Sequence, residues 1–376
     1  MTMDKRNLPE NENITEQNVV IESDAENTDS PVAKKASEAI PQLSTKEKLS
    51  RFFRAQQGWL FVLPALLLMV IFTFYPIVSA FVNSFKQDYN GLASTYNGWG
   101  VENFIRVLKG DTGMGGANFL QCLTNTMVLT FVSVPLSTFI ALFISVALNS
   151  IKPLQKAFQT VLFLPYLTNS LAMGAVFLTF FQVIGTTRQI AAGTAQLGIV
   201  NDLLGWLGAD PINWIRGTNL STNESLVWHL GKVDIPWTKY SIMIVYEVWS
   251  GLPFKILILF SALQSVNKQY YDAAKIDGAS KSTVLWKITT PLISPMISYL
   301  LITGIMGGMK QYSAVVGVFG ADMGTNYDMG TMVGYIYQYL ELGQTGYAYA
   351  GSLLLFIIIM IITAINLRVS KKRVTY

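Results

Sequence analysis

The chain has 376 residues, of which 51% are hydrophobic and only 13% charged, with a net charge of +4. An ordinary soluble domain carries about a quarter charged residues, so much of this surface is built to face something other than water. A single cysteine, Cys122, and a single histidine, His229, leave no disulfide framework and no metal cluster, which argues against a zinc enzyme or a haem protein.

Residues 1–44 are rich in Glu, Asp, Asn, Ser and Thr and lack aromatics, and their acids outnumber Lys5, Arg6, Lys34 and Lys35. Such a segment is too polar to fold alone and is expected to be a disordered acidic cytoplasmic tail. It has no apolar run of the kind a cleaved export signal needs. Over 45–57, Lys46, Lys48, Arg51 and Arg54 alternate with Leu49, Phe52 and Phe53 at helical spacing. That pattern predicts an amphipathic juxtamembrane helix, with a solvated basic linker as the alternative.

Six apolar stretches follow, at about 59–82, 119–148, 157–183, 240–263, 291–317 and 345–368. Each is long enough to cross a hydrocarbon core of about 30 Å. Gly304, Gly307 and Gly308 in the fifth permit close approach of a neighbouring helix. Basic residues cluster at the N-terminal flank, at Lys152 and Lys156, at Lys268, Lys275, Lys281 and Lys287, and at Arg368, Lys371, Lys372 and Arg373. Their alternation places these four segments inside and predicts an all-α membrane protein of six transmembrane helices with cytoplasmic N- and C-termini. The membrane domain is expected over 58–370 and a basic cytoplasmic tail over 371–376. The outer loops fall near 84–118, 184–239 and 318–344; the middle one carries Trp206, Trp214, Trp228 and Trp237, which suits a lid near the headgroups.

The inner loop at 264–290 is the most informative segment. Asn267 can cap a short helix that carries Asp272 in its first turns, Ala273 and Ala274 give it a small flat patch, and Gly278 ends it. A second amphipathic segment, 280–290, leads to Pro291, which is expected to open the fifth span. The product is a helix–turn–helix knob projecting into the cytosol, with nothing catalytic in it.

Asp272-Ala-Ala, Asp277-Gly-Ala279, Ile288 and Pro291 resemble, in order and spacing, the "EAA" loop of ABC importer permeases. Phe163-Leu-Pro-Tyr, Gly198-Ile-Val-Asn, Trp249-Ser-Gly-Leu-Pro-Phe, Tyr335-Ile-Tyr and Gly346-Tyr-Ala-Tyr-Ala extend the similarity to the maltose-type sugar permeases over roughly 58–370. The resemblance implies that 264–290 is a coupling helix seated in a cytoplasmic ATPase, with Asp272, Ala273, Ala274, Asp277, Gly278, Ala279 and Pro291 as the ATPase-coupling residues. Asp272 stands where the family usually has Glu, Thr290 replaces the usual Leu, and Asn267 stands where Pro is frequent. The implied partners are a second homologous permease subunit, a cytoplasmic ABC ATPase dimer and an extracytoplasmic solute-binding protein in a bacterial plasma membrane. No cofactor is expected on this chain, since ATP and Mg are used by the ATPase; there is no G-x-x-x-x-G-K-[ST] phosphate loop here.

Polar groups inside a membrane are costly and are candidates for function. In the fourth span these are Glu247, Trp249, Ser250, Gly251 and Phe254, around a helix-breaking Pro253; Lys255 follows and is open to a snorkelling role instead. In the fifth they are Lys310, Gln311 and Tyr312. Aromatic faces stack on sugar rings while polar groups fix orientation, and the resemblance puts Gly251 and Phe254 at a mid-membrane sugar site. The expectation is the transmembrane permease subunit of an ATP-driven carbohydrate importer working by alternating access. The alternatives are a permease for a polyamine or glycerol phosphate, or an ion-coupled secondary transporter. Only Glu247 is a deep carboxylate and no repeat of 249–291 is seen, which weighs against the last.

Overall fold

The computed structural model describes residues 58–373 apart from position 60 and short stretches at 111–115, 152–154, 186–187, 190–191, 223, 231–232 and 325–326. The tail expected at 1–44 and the juxtamembrane helix at 45–57 lie outside the described residues. The chain divides into two compact units, Met1–Tyr75 and Pro76–Tyr376. The first holds an apolar helical run from Phe61 with a π-helical turn at Val70–Phe74; the candidate span α1, Phe61–Ser84, crosses the boundary.

The second unit is helical, with short antiparallel hairpins between helices. In chain order its helices are α2 (Glu102–Lys109), α3 (Phe119–Ser150), α4 (Gln155–Leu167), α5 (Ser170–Phe181), α6 (Ile199–Trp206) and α7 (Trp237–Ser265). There follow α8 (Lys268–Ile276), α9 (Lys281–Leu292), α10 (Ser294–Gly308), α11 (Ser313–Phe319), α12 (Met332–Glu341) and α13 (Thr345–Arg373). Among the described residues four helices are long and apolar enough to cross a membrane: α1, α3, α7 and the Thr345–Val369 part of α13. The pairs α4–α5 and α9–α10 raise the number to six if each is one span.

The third and fifth expected spans are therefore not straight rods. The third bends by 103°, because Asn169 leaves the helix and its side chain caps α5, accepting from Leu171 N at 2.9 Å. The fifth bends by 67° at Ile293, between Pro291 and Pro295, which together withdraw two backbone donors from a short stretch. Pro291 does not open the span as expected. The helical path starts at Lys281, passes through a π-helical turn at Val284–Thr289, and holds Pro291 near its end. Nor does the span reach 317: the helix stops at Gly308 and restarts at Ser313. Conversely, α7 runs unbroken through Pro253, where an interruption was expected.

Helix α3 lies along α7, and several of its hydroxyl side chains bond within their own helix. Thr126, Thr138 and Ser145 donate to carbonyls four residues back, at 2.7 Å each, and Ser145 Oγ also reaches Ile256 O at 3.1 Å. Hydroxyls that close on their own helix cost little in an apolar bundle and leave room for tight packing. Lys255 adds a clamp, donating to Val134 O at 3.1 Å and to Ser137 Oγ.

At the N-terminal end of α7 a polar knot ties three segments together. Tyr240 OH donates to Asn125 Oδ1 at 2.6 Å, Asn125 donates to the carbonyls of Asp328 and Gly330, and Lys239 pairs with Asp328. A second knot fixes the 86–109 segment to α13: Arg106 donates to Tyr347 OH at 3.0 Å and to Asp88 Oδ1 at 3.2 Å. The Tyr347 hydroxyl, and then Glu102 and Asp88, push the Arg106 guanidinium further into its charged range.

Glycine sets the other close approaches. Cβ atoms built at Gly304 and Gly308 would come 2.7 Å from Val134 and 2.8 Å from Thr130, so α10 packs against α3 through them, as the sequence suggested. Between α5 and α11 a Cβ on Gly174 would lie 2.8 Å from the backbone of Gly317. Gly174→Ala should cost about 1–3 kcal/mol by overpacking, whereas Gly205→Ala, with nothing within 4 Å, should not. Thermal unfolding of the two purified variants checks this: a lowered Tm for the first and an unchanged one for the second.

Candidate functional site

Two features stand out at different heights along α7. The first is a cavity of about 380 Å³ beside its middle, walled by α7, by the α4–α5 bend and by the α10–α11 junction. From α7 come Tyr246, Glu247, Trp249 and Ser250; from the junction come Gly307, Gly308, Gln311 and Tyr312. The bend adds Tyr166, Thr168 and Ser170. Tyr246 OH donates to Ser170 O at 3.0 Å and so fixes the bend against α7.

Gln311 donates its amide to Glu247 Oε1, which joins the two helical walls across the cavity. Trp249 packs on Phe177 with ring centroids 5.2 Å apart, and Tyr312 stacks on Tyr337 at 4.7 Å. Among the described residues Glu247 is the only charged side chain in the lining, with no Lys or Arg. The arrangement offers flat aromatic faces, hydroxyls, an amide and one carboxylate to a solute of small-molecule size.

Five of the expected residues thus come together here: Glu247, Trp249, Ser250, Gln311 and Tyr312. Three do not line the cavity. Gly251 sits half-buried towards Ser137 of α3, Phe254 stacks behind Tyr166 at 5.9 Å, and Lys310 is exposed outside it. Lys255 does not snorkel; it is 7% exposed and turned into α3. Of the polar wall residues named above, sequence reasoning missed Tyr246, Tyr166, Thr168 and Ser170. The polar Thr168-Asn169-Ser170 run inside an apolar stretch was the available signal for the bend.

The second feature is the segment that follows α7. Asn267 caps α8, accepting from Gln269 N at 3.0 Å. At the other end Gly278 takes φ +68°, while Gly278 N donates to Lys275 O at 3.1 Å and Ala279 N to Ala274 O at 2.9 Å. These two bonds close the last carbonyls of the helix as a Schellman turn, which needs a left-handed residue at Gly278. Ser280 caps α9 through Thr283 N at 3.2 Å. Trp286 stacks on Phe139 of α3 at 6.4 Å, and Thr289 Oγ1 donates to Tyr271 OH at 3.4 Å, so the knob is held to the bundle.

Asp272, Ala273, Asp277 and Gly278 are exposed on the knob, with Ile276 beside them at 88% exposure, and Ala279 is half-buried. Ala274 is buried against the bundle, so the expected pair of alanines does not form one outward patch. Pro291 is exposed but lies beyond the knob, within α9.

A bundle of long apolar helices with a lined cavity is a form that membrane transport proteins take. The family described as "Binding-protein-dependent transport system inner membrane component" matches residues 133–376, and the chain belongs to it. It is 28% identical over 314 residues to the arabinooligosaccharides transport system permease protein AraP of Bacillus subtilis (strain 168), spanning 83% of this chain and 88% of that protein. It is 26% identical to the lactose transport system permease protein LacF of Rhizobium radiobacter, spanning 85% and 94%. Its fold resembles a chain in the crystal structure of a bacterial alginate ABC transporter in complex with an alginate pentasaccharide-bound periplasmic protein. There the TM-score is 0.67 at 18% identity, covering 88% of this chain and 99% of that one.

A β-carbon at the left-handed Gly278 costs about 1–2 kcal/mol. Gly278→Ala should therefore speed amide exchange across α8 by about 5–30-fold. Hydrogen–deuterium exchange of the purified protein reads this directly, and α3 serves as the unaffected reference.

Proposed function

We propose that this chain is the permease subunit of an ATP-driven, binding-protein-dependent importer whose solute is a carbohydrate. In this reading each bent pair is one span, giving six, with both termini and the 264–290 loop in the cytoplasm. The basic residues of that loop and of the C-terminal end support the orientation. The loop seats in a separate ATPase through Asp272, Ala273, Asp277 and Gly278. A second permease subunit completes the path, and a solute-binding protein delivers to the opposite face.

The observation that carries the reading is the cavity, where Glu247 and Gln311 join across a space walled by Tyr166, Trp249 and Tyr312. Aromatic faces beside hydroxyl, amide and carboxylate groups suit a polyhydroxylated ring. Permeases similar to this chain are named for arabinooligosaccharides, lactose and trehalose/maltose. Membership of the binding-protein-dependent family displaces the ion-coupled reading. The lining offers no cation to glycerol phosphate, so that alternative loses support as well. A polyamine stays as the second reading, because Glu247 gives an ammonium group a counter-charge.

Purification through a tag on this chain, followed by ATP hydrolysis with its solute-binding protein, tests the proposal. An ATPase subunit should co-purify. Neutral oligosaccharide should stimulate hydrolysis and spermidine should not, while Gly278→Arg should abolish the stimulation or release the ATPase. Stimulation by spermidine alone transfers the cavity to the polyamine reading. Failure of any ATPase to co-purify contradicts the docking role of the loop.

A further inference from the structure

Beside the 264–290 knob lies a chamber of about 460 Å³, separate from the cavity at mid-α7 and lined on the knob side by Tyr271, Lys275 and Ala279. Its walls are Val146 near the C-terminal end of α3, Leu263 near that of α7, and Val284 and Leu285 on the π-helical turn. Lys275 and Lys281 stand at its rim, both exposed, and among the described residues no acidic side chain contributes to the lining. Among the described residues neither lysine forms an ion pair. An apolar chamber with two unpaired ammonium groups at its mouth is complementary to an anionic amphiphile.

Its place in the fold narrows the choice. Val146 and Leu263 lie within a turn or so of the ends of two spans, Ser150 and Ser265. That is the depth at which hydrocarbon gives way to headgroups. An acyl chain can enter there from the bilayer while its headgroup stays at the rim. Juxtamembrane lysines attract anionic lipid on the cytoplasmic leaflet. In the docking proposed above, the ATPase meets Asp272, Ala273, Asp277 and Gly278 rather than this face. Tyr271 and Lys275, one turn apart, face the chamber, whereas Asp272 and Ile276 stand about 100° round α8 on the exposed side.

We infer that this chamber binds an anionic phospholipid, one acyl chain lying against Leu263, Val284 and Leu285 and the headgroup phosphate held by Lys275 and Lys281. The inference rests on the cytoplasmic placement of the loop given above. A lipid so placed wedges the knob against the ends of α3 and α7 and makes the docking segment sensitive to membrane charge.

The test uses the whole transporter, with its partner subunits, in phosphatidylcholine nanodiscs doped with phosphatidylglycerol that carries a diazirine on its acyl chain. After illumination, peptide mass spectrometry should find label at Leu263 and at Val284–Leu285. Unlabelled phosphatidylglycerol should compete and phosphatidylcholine should not. The double substitution K275Q/K281Q, checked to elute as the wild type on gel filtration, should lower that label by about fivefold or more. Val284→Trp, which fills the chamber and keeps both charges, should lower it too. Label spread evenly over the exposed face of α13, competition by phosphatidylcholine, or label indifferent to the double substitution overturns the proposal. So does label that appears only after the ATPase is stripped away, which would make the ATPase the occupant. Whether an ATPase co-purifies at all is read from the same preparation, so failure of the docking reading is told apart from failure of the lipid site.

Discussion

The contact between α3 and α7 is the constraint on which the rest of the structure depends. In an apolar surrounding, helices gain nothing from burying more hydrocarbon, so packing and satisfied polar groups hold them together. Along this contact Ser145 bonds both to α3 itself and to Ile256 O of α7, and Lys255 of α7 spans the gap to Val134 and Ser137. A lysine so deep is tolerated because backbone and hydroxyl oxygens surround its ammonium. The result is a fixed pair of long helices, and the third and fifth segments bend around it.

That fixed pair also explains how two distant features belong to one mechanism. Helix α7 is one helix of about 40 Å, unbroken at Pro253, with Glu247, Trp249 and Ser250 at mid-length and the 264–290 knob at its end. The other wall of the cavity, Gly307 to Tyr312, connects to the same knob through α10, the bend at Ile293 and α9. Both walls thus lead to α8, one by a rigid helix and one through a hinge made by Pro291 and Pro295. On the proposed function, a displacement of the knob changes the spacing between Glu247 and Gln311, because only one of their two connections bends.

Much of this was legible in the sequence, and the exceptions have physical reasons. Four apolar spans and the capped knob follow from hydropathy, from Asn267 and from Gly278, all of which act locally. Gly304 and Gly308 were read as packing positions and serve as such, while Gly307 faces the cavity. The bends were not read, because hydropathy measures length and apolarity but not direction; Thr168-Asn169 and the Pro291/Pro295 pair carry that information instead. Pro253 misled in the opposite sense, since α7, packed along α3, stays helical through it where propensity alone favours a break. Five residues of the cavity lining were found because intramembrane polar residues are costly wherever they occur. Tyr166 and Ser170 were missed because only the bend brings them to α7.

The most direct measurement is the sidedness of the cavity during ATP use. Cys122 is buried, so a cysteine introduced at Ser250 can be followed with a membrane-impermeant thiol reagent. In right-side-out and inside-out vesicles holding the full complex, the account predicts that Ser250→Cys is labelled from one side in the resting state. Accessibility should pass to the other side when ATP is trapped on the partner ATPase. Labelling that ignores nucleotide and instead follows an ion gradient would contradict it.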